Sequence, residues 1–389
     1  MSEEKQFDVV VYGASGFTGR LVAEYLQKRY GDDDSVKWAM AGRNVEKLAA
    51  VRAEIGVPDS IPLITADGSD ESSLQAMAAQ TKAIITTVGP YQMYGGLLVE
   101  VCAKTGTDYL DLCGEPAWMR QMIDAHESTA KQSGARIVFS AGFDSIPFDC
   151  GVWLLQQHCI AEDGKPSSRI RGRVAKMQGT FSGGTAASFK ATMAAARDPE
   201  ILALLRNPFS LVPGFTGADQ PPGNKPMLDE AVGSWVTPFI MATINTRNVH
   251  RSNALTGFSY GEDFVYDEML MTGPGDKGEQ IAKALADRDD MSSSDGPKPG
   301  EGPSKEEREA GHYEVLFHAE REGDPMRLVV TGDRDPGYGS TSKMLAEAAL
   351  CLVKDCSATS AGIWTPAAAM GQPLIDRLIA NAGLTFNRV

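Results

Sequence analysis

The sequence predicts an α/β fold: a doubly wound parallel sheet of the Rossmann type carrying an inserted α+β domain. Three observations predict it. The β-branched run Val9-Val10-Val11-Tyr12 leads into Gly13-Ala14-Ser15-Gly16-Phe17-Thr18-Gly19 and then into the helix-compatible segment Leu21 to Arg29. Apolar strand candidates then alternate with helical segments through the first third of the chain, the rhythm of a parallel sheet with helices on both faces. From about residue 146 that rhythm gives way to strand-like pieces and Pro- and Gly-rich loops, which read as α+β with antiparallel pairing.

The glycine turn comes first. Gly13 allows the tight turn off the strand, Gly16 lets the backbone approach a pyrophosphate, and Gly19 lets the helix sit close to the sheet. The free N–H groups and positive end of the following helix face the anion. Ser15, Phe17 and Thr18 complete this candidate cofactor turn. The spacing is G-x-x-G-x-x-G, not G-x-G-x-x-G, so its meaning comes from its place between the first strand and the first helix.

The second strand candidate, 36–41, ends in Gly42-Arg43-Asn44. An NAD site usually places an acid here, ~20 residues after the glycines, for the ribose 2′-hydroxyl. Arg43, with Lys47 one turn further on, suits a 2′-phosphate instead, because a guanidinium pairs with phosphate and stacks on adenine. The expected cofactor is NADP.

Further strand candidates are 61–65, 83–88, 108–112 and 136–140, with helices at 17–29, 44–55, 70–80, 95–104 and 116–133. Ligands bind beyond the carboxyl ends of such strands. That rule selects Val88-Gly89-Pro90-Tyr91, Leu112-Cys113-Gly114-Glu115 and Ala141-Gly142-Phe143-Asp144-Ser145-Ile146-Pro147, and Gly89, Pro90 and Gly114 join the candidate cofactor contacts. A helix at 145–158 follows, then strand-like 170–178, an alanine-rich helix opened by Ser182-Gly183-Gly184-Thr185, and strand-like pieces near 233–248, 313–321 and 326–332. Arg169, Arg171 and Arg173 alternate as one face of a strand. Residues 289–311 read as a flexible insert, and the C-terminus is helical at 339–356 and 374–382. The expected domains are 1–145 for the dinucleotide, 146–338 for substrate and dimerisation, and a helical return, 339–389, packing on the first.

With 389 residues and 42% hydrophobic content, the chain can bury two cores. Its 37 basic and 51 acidic residues leave a net charge of −14, which argues against nucleic acid as partner. The longest apolar stretch, around Trp235 to Ile244, is far short of a membrane span, and the polar N-terminus has no signal pattern; a cytoplasmic protein is expected. The six cysteines and five histidines show no ligand spacing, so no metal is expected and the thiols read as reduced and buried.

Taken in order, the glycine turn, Ala41-Gly42-Arg43, Val88-Gly89-Pro90-Tyr91, Tyr109-Leu110-Asp111-Leu112-Cys113-Gly114-Glu115 and the 141–147 loop resemble the saccharopine dehydrogenase-like oxidoreductases. Within that group the chain is similar to the bacterial trans-acting enoyl reductases. The likeness extends to Ser182-Gly183-Gly184-Thr185, Asn245-Thr246-Arg247 with Arg251-Ser252-Asn253, Asp333-Arg334-Asp335-Pro336-Gly337-Tyr338 and Thr365-Pro366-Ala367. The resemblance implies an NADP-binding domain, an inserted domain used for subunit contacts in a homodimer, and reduction of a C=C bond in a fatty-acyl or polyketide intermediate. The same group holds saccharopine-type C–N reductases and lipid-associated relatives. A small dicarboxylate adduct, peripheral contact with lipid, and a non-catalytic NADP-binding scaffold therefore stay open.

Enoyl reduction needs a hydride, a donor polarising the carbonyl, and a proton for the α-carbon. Tyr91 and Asp144 are the candidate catalytic residues, each in a loop after a strand, with Glu115 in an equivalent position. Capping of a helix N-terminus is the competing role for the two carboxylates. Arg247, Arg251 and Tyr338 are candidate substrate contacts, whereas His250 reads as structural.

Overall fold

Strand β1 (Phe7–Tyr12) is buried along its whole length, as a strand covered on both faces must be. The computed structural model describes residues 5–180, 183–287 and 300–389. Around β1 lie β2 (Trp38–Gly42), β3 (Leu63–Thr65), β4 (Thr81–Thr86), β5 (Asp108–Leu110) and β6 (Arg136–Val138). Among the described residues they form a parallel sheet in the order β6-β5-β4-β1-β2-β3, with Val9 opposite Trp38 on one side and Ala83 on the other. The strand order reverses between β1 and β4, and such a switch point opens a crevice at the carboxyl edge.

The second sheet contains β7 (Arg169–Gln178), β8 (Met227–Asp229), β9 (Ser234–Pro238), β10 (Val265–Gly273), β11 (His312–Ala319) and β12 (Met326–Gly332). It is mixed: β7 runs parallel to β10 and antiparallel to β11. The apolar helix Ile146–Asp163 packs on β11 and β12, and one hydrophobic core runs from Val9 and Val11 through Phe148 and Leu155 to Phe317 and Val330.

The C-terminus serves both sheets. Helix Thr341–Lys354 packs on helix Phe17–Tyr30 and on β1 and β4, and β13 (Gly362–Trp364) extends the first sheet beside β6. The last strand, β14 (Leu384–Arg388), pairs instead with β12. The return is therefore neither wholly helical nor confined to the first sheet.

Two further expectations change. The strand-like stretch at 233–248 stops at Pro238, which has no N–H for the ladder, and a helix spans Ala242–Leu255. Of the expected insert, 289–299 lies outside the described residues. Residues 305–310 are helical, closed by a capping box in which Ser304 and Glu307 bond each other's backbone amides. The Arg169/Arg171/Arg173 alternation does lie on a strand, and its guanidinium groups pair with Asp229, Asp267 and Glu320. No helix among the described residues is long and apolar enough to cross a membrane.

Candidate functional site

The glycine turn closes where β1 meets β4. Gly13 has φ +88°, a conformation that favours glycine, and a Cβ there would lie 2.8 Å from Val88 Cγ2 and 2.9 Å from Thr87 Oγ1. At Gly19 a Cβ would lie 2.2 Å from Gly13 O, so the fold itself demands glycine. Gly16 differs. Its Cβ would meet Gly13 O at 3.2 Å and, chain neighbours aside, no other atom of the described residues within 4 Å, so the space above it is open.

Helix Phe17–Tyr30 begins at Gly16 with no side-chain cap and no acid in its first turn. Helices Val45–Glu54 and Glu71–Gln80 are capped by Asn44 and Asp70. An uncapped helix end beside an open glycine is a fitting seat for a pyrophosphate. Arg43 is exposed at the end of β2 and, among the described residues, pairs with no side chain. It faces Tyr12 and Asp67, and the Asp67 carboxyl is held below its ordinary range, first by the Ser69 amide and hydroxyl and less by Arg43. The residues present fit a dinucleotide with a 2′-phosphate.

The loop after β4 corrects one expectation. Tyr91 points inward rather than into the crevice: it is 3% exposed and packs on Trp118. Its hydroxyl donates to Thr86 O at 3.2 Å and accepts from the Leu112 amide at 3.4 Å. Burial pushes the phenol well above its usual range, and its hydroxyl proton is committed to Thr86 O. Glu115 is likewise committed, accepting the Tyr91 and Gln92 amides at 2.9 Å each. It caps the short helix Tyr91–Tyr94.

Asp111 pins the ends of β5 and β6 together. Its carboxylate accepts from Tyr109 Oη, the Cys113 amide and the Ser140 amide, although burial still pushes it up to about 7. Ser140 Oγ adds a bond to Cys113 O. The rigid pair of loops holds Asp144 beside Gly114, whose Cβ direction meets Asp144 Oδ2 at 3.8 Å.

Asp144 is not a helix cap. Ser145 precedes the helix Ile146–Asp163 with no side-chain cap bond, and Asp144 Oδ1 is inaccessible to solvent and without a partner. Burial alone pushes this carboxyl up to about 7. It shares the junction between the sheets with Glu268, on β10, which accepts from Asn245 Nδ2 at 2.9 Å and Tyr266 Oη at 2.8 Å. Burial pushes Glu268 up to about 8, and the charge of Asp144 adds to this. Sequence reasoning missed Glu268, Tyr266, Asn245 as a site residue, and Asn248.

The arginines of helix Ala242–Leu255 do not reach the crevice. Arg247 donates to the carbonyls of Thr243 and Leu205, and Arg251 to those of Leu211 and Ile363. Both brace the 205–211 loop, and neither is free to clamp an anion. His250 is structural: it packs on Phe209, and burial pushes it down to about 3. Tyr338 stands at the glycine turn, its ring 5.2 Å from that of Phe17, with Arg308 over the other ring at 5.6 Å.

Fold, switch point and uncapped glycine turn together define a dinucleotide-binding domain of the Rossmann type. Residues 9–138 match the saccharopine dehydrogenase NADP binding domain. Trans-acting enoyl reductases of Mycobacterium bovis and Mycobacterium ulcerans are 37% and 36% identical to this chain, covering 96% and 97% of it and 96% of each relative. A Mycobacterium tuberculosis protein provisionally given the same name is 40% identical, over 98% of this chain and 97% of its own. The saccharopine dehydrogenase (L-Glu forming) of Saccharomyces cerevisiae shares the fold, with a TM-score of 0.57 at 12% identity over 98% of this chain and 100% of that one. The chain belongs to the trans-acting enoyl reductase family, built on a saccharopine dehydrogenase NADP-binding domain. It is an NADP-dependent oxidoreductase.

Proposed function

We propose that this enzyme reduces the C=C bond of an enoyl thioester, with Asp144 supplying the proton to the α-carbon. One observation carries the reading. At the crevice beside Gly114 stands a carboxyl with an unpartnered oxygen, held by burial near neutrality, while both arginines of the facing helix are committed elsewhere. A saccharopine-type dicarboxylate needs cations where this junction offers Asp144 and Glu268. The names of the relatives point the same way.

Gly13, Ser15, Gly16, Phe17, Thr18 and Gly19 hold the pyrophosphate in this reading, Arg43 takes the 2′-phosphate, and Gly89, Pro90 and Gly114 border the nicotinamide. NADPH, when bound, supplies the hydride. Asp144, protonated below about pH 7, holds the second hydrogen at Oδ2 and delivers it as negative charge develops on the substrate. Turnover of NADPH with enoyl thioesters, set against a 2-oxo acid plus amine, tests the assignment: only the thioesters should be consumed.

Arg43→Ala should weaken NADPH binding by about 1.5–3 kcal/mol, the scale of a charge-assisted hydrogen bond, and leave NADH unchanged. Fluorescence titration of both cofactors checks it, and equal affinities in the wild type would remove Arg43 from the role.

The homodimer is proposed on the second sheet. Val236, Phe239 and Ile244 are buried within the chain, and of the apolar residues in the Trp235–Ile244 stretch only Ile240 is exposed, with Trp235 and Met241 half-buried. A groove of about 560 Å³ on the second sheet, lined by Ala175, Val232, Met271, Ile281 and Leu285, lies in the same sheet as exposed Met227 and Leu228 on the edge strand β8. Light scattering at micromolar concentration should report twice the chain mass; a monomer would end the proposal.

A further inference from the structure

Asn245 and Asn248 stand one turn apart on helix Ala242–Leu255, and both are wholly buried. Each amide nitrogen is committed, Asn245 Nδ2 to Glu268 Oε2 at 2.9 Å and Asn248 Nδ2 to Ser145 Oγ at 2.8 Å. Each amide oxygen is left over. Asn245 Oδ1 and Asn248 Oδ1 are inaccessible to solvent and have no partner, and Asp144 Oδ1, next to Ser145, is in the same state.

Buried acceptors are nearly always bonded, because desolvation without a partner is costly. Here three are missing donors in one junction. The bond to Ser145 ties Asn248 to the Asp144 loop, and Glu268, which bonds Asn245, feels the Asp144 charge. The oxygens come from two separate elements, a helix and the loop after β6. Three unpartnered acceptor oxygens suit N–H groups and disfavour carboxylates.

We propose that Asn245 and Asn248, together with Asp144, form an acceptor subsite for the amide N–H of a bound ligand. Two sources carry that chemistry. One is the amide that follows the sulfur in a pantetheine-type thioester, which rests on the enoyl thioester reading. The other is the carboxamide of the nicotinamide ring, which does not.

Calorimetry separates them without requiring turnover. Saturated acyl thioesters of N-acetylcysteamine are compared with S-butyl thioesters, which lack the amide. NADP is compared with its 3-acetylpyridine analogue, which lacks the N–H. The wild type should prefer the amide-bearing member of one pair by about tenfold, the scale of one hydrogen bond. The pair showing the preference identifies the source. Asn245→Leu and Asn248→Leu, with folding followed by circular dichroism, should erase that preference and leave the weaker member's affinity unchanged. Equal binding of both members of both pairs by the wild type overturns the subsite, as does a variant that weakens both members alike. Preference without any thioester turnover would keep the subsite and remove the enoyl reductase reading.

Discussion

Gly16→Val is expected to give a folded protein that no longer holds NADPH. The side chain would enter the space above the uncapped helix end, where, chain neighbours aside, the described residues place no atom nearer than 4 Å other than Gly13 O at 3.2 Å. Several charge-assisted bonds to the pyrophosphate would be lost together, a penalty of about 3–6 kcal/mol in binding. Gly19→Val is the control with the opposite signature. Its Cβ would fall 2.2 Å from Gly13 O inside the strand–turn–helix, so the loss should appear first in thermal stability. Circular dichroism and NADPH titration on the same samples distinguish the two. Normal NADPH binding by a folded Gly16→Val protein would reduce the glycines to a turn.

Asp144→Asn should lower kcat by about 10²–10⁴, the usual worth of a positioned general acid, with NADPH affinity little changed. The pH dependence follows from the sign of the shift. Burial raises this carboxyl from 3.8 to about 7, so the proton-bearing form dominates below that pH and is lost above it. Turnover of the wild type should therefore fall as pH rises through about 7, by roughly tenfold per unit once the group is ionised. The Asn variant, which cannot titrate, should lack that fall. A variant that keeps the wild-type rate and profile would move the proton donor elsewhere.

The parallel sheet was legible because its strands are apolar on both faces and its turns are marked by glycine. Helix 116–133 could be read to the residue, since Gly134 terminates it and its apolar period is plain. The crevice residues hid for the converse reason. Helix Ala242–Leu255 buries Asn245, Asn248 and Ser252, so its inward face is polar and no apolar period announces it. Strand β10 buries Asp267 and Glu268 at its middle, and it too escaped notice. Buried polar residues at a ligand site break the pattern that sequence reading depends on. Tyr91 failed differently: its position after β4 was readable, but packing against Trp118 turned it inward. The capping box of Ser304 and Glu307 stands in the sequence as Ser-Lys-Glu-Glu, but the Pro- and Gly-rich run just before it makes the whole stretch read as a flexible insert.

The central claim is that hydride from NADPH and a proton routed through Asp144 saturate an enoyl thioester. Mass spectrometry of the product formed from an enoyl N-acetylcysteamine thioester and NADPH deuterated at the transferring position tests it most directly. The account predicts a saturated product with one deuterium at the β-carbon and, in heavy water, a second at the α-carbon that forms far more slowly with Asp144→Asn. Unchanged thioester, recovered from a protein shown by titration to have NADPH bound, would contradict it.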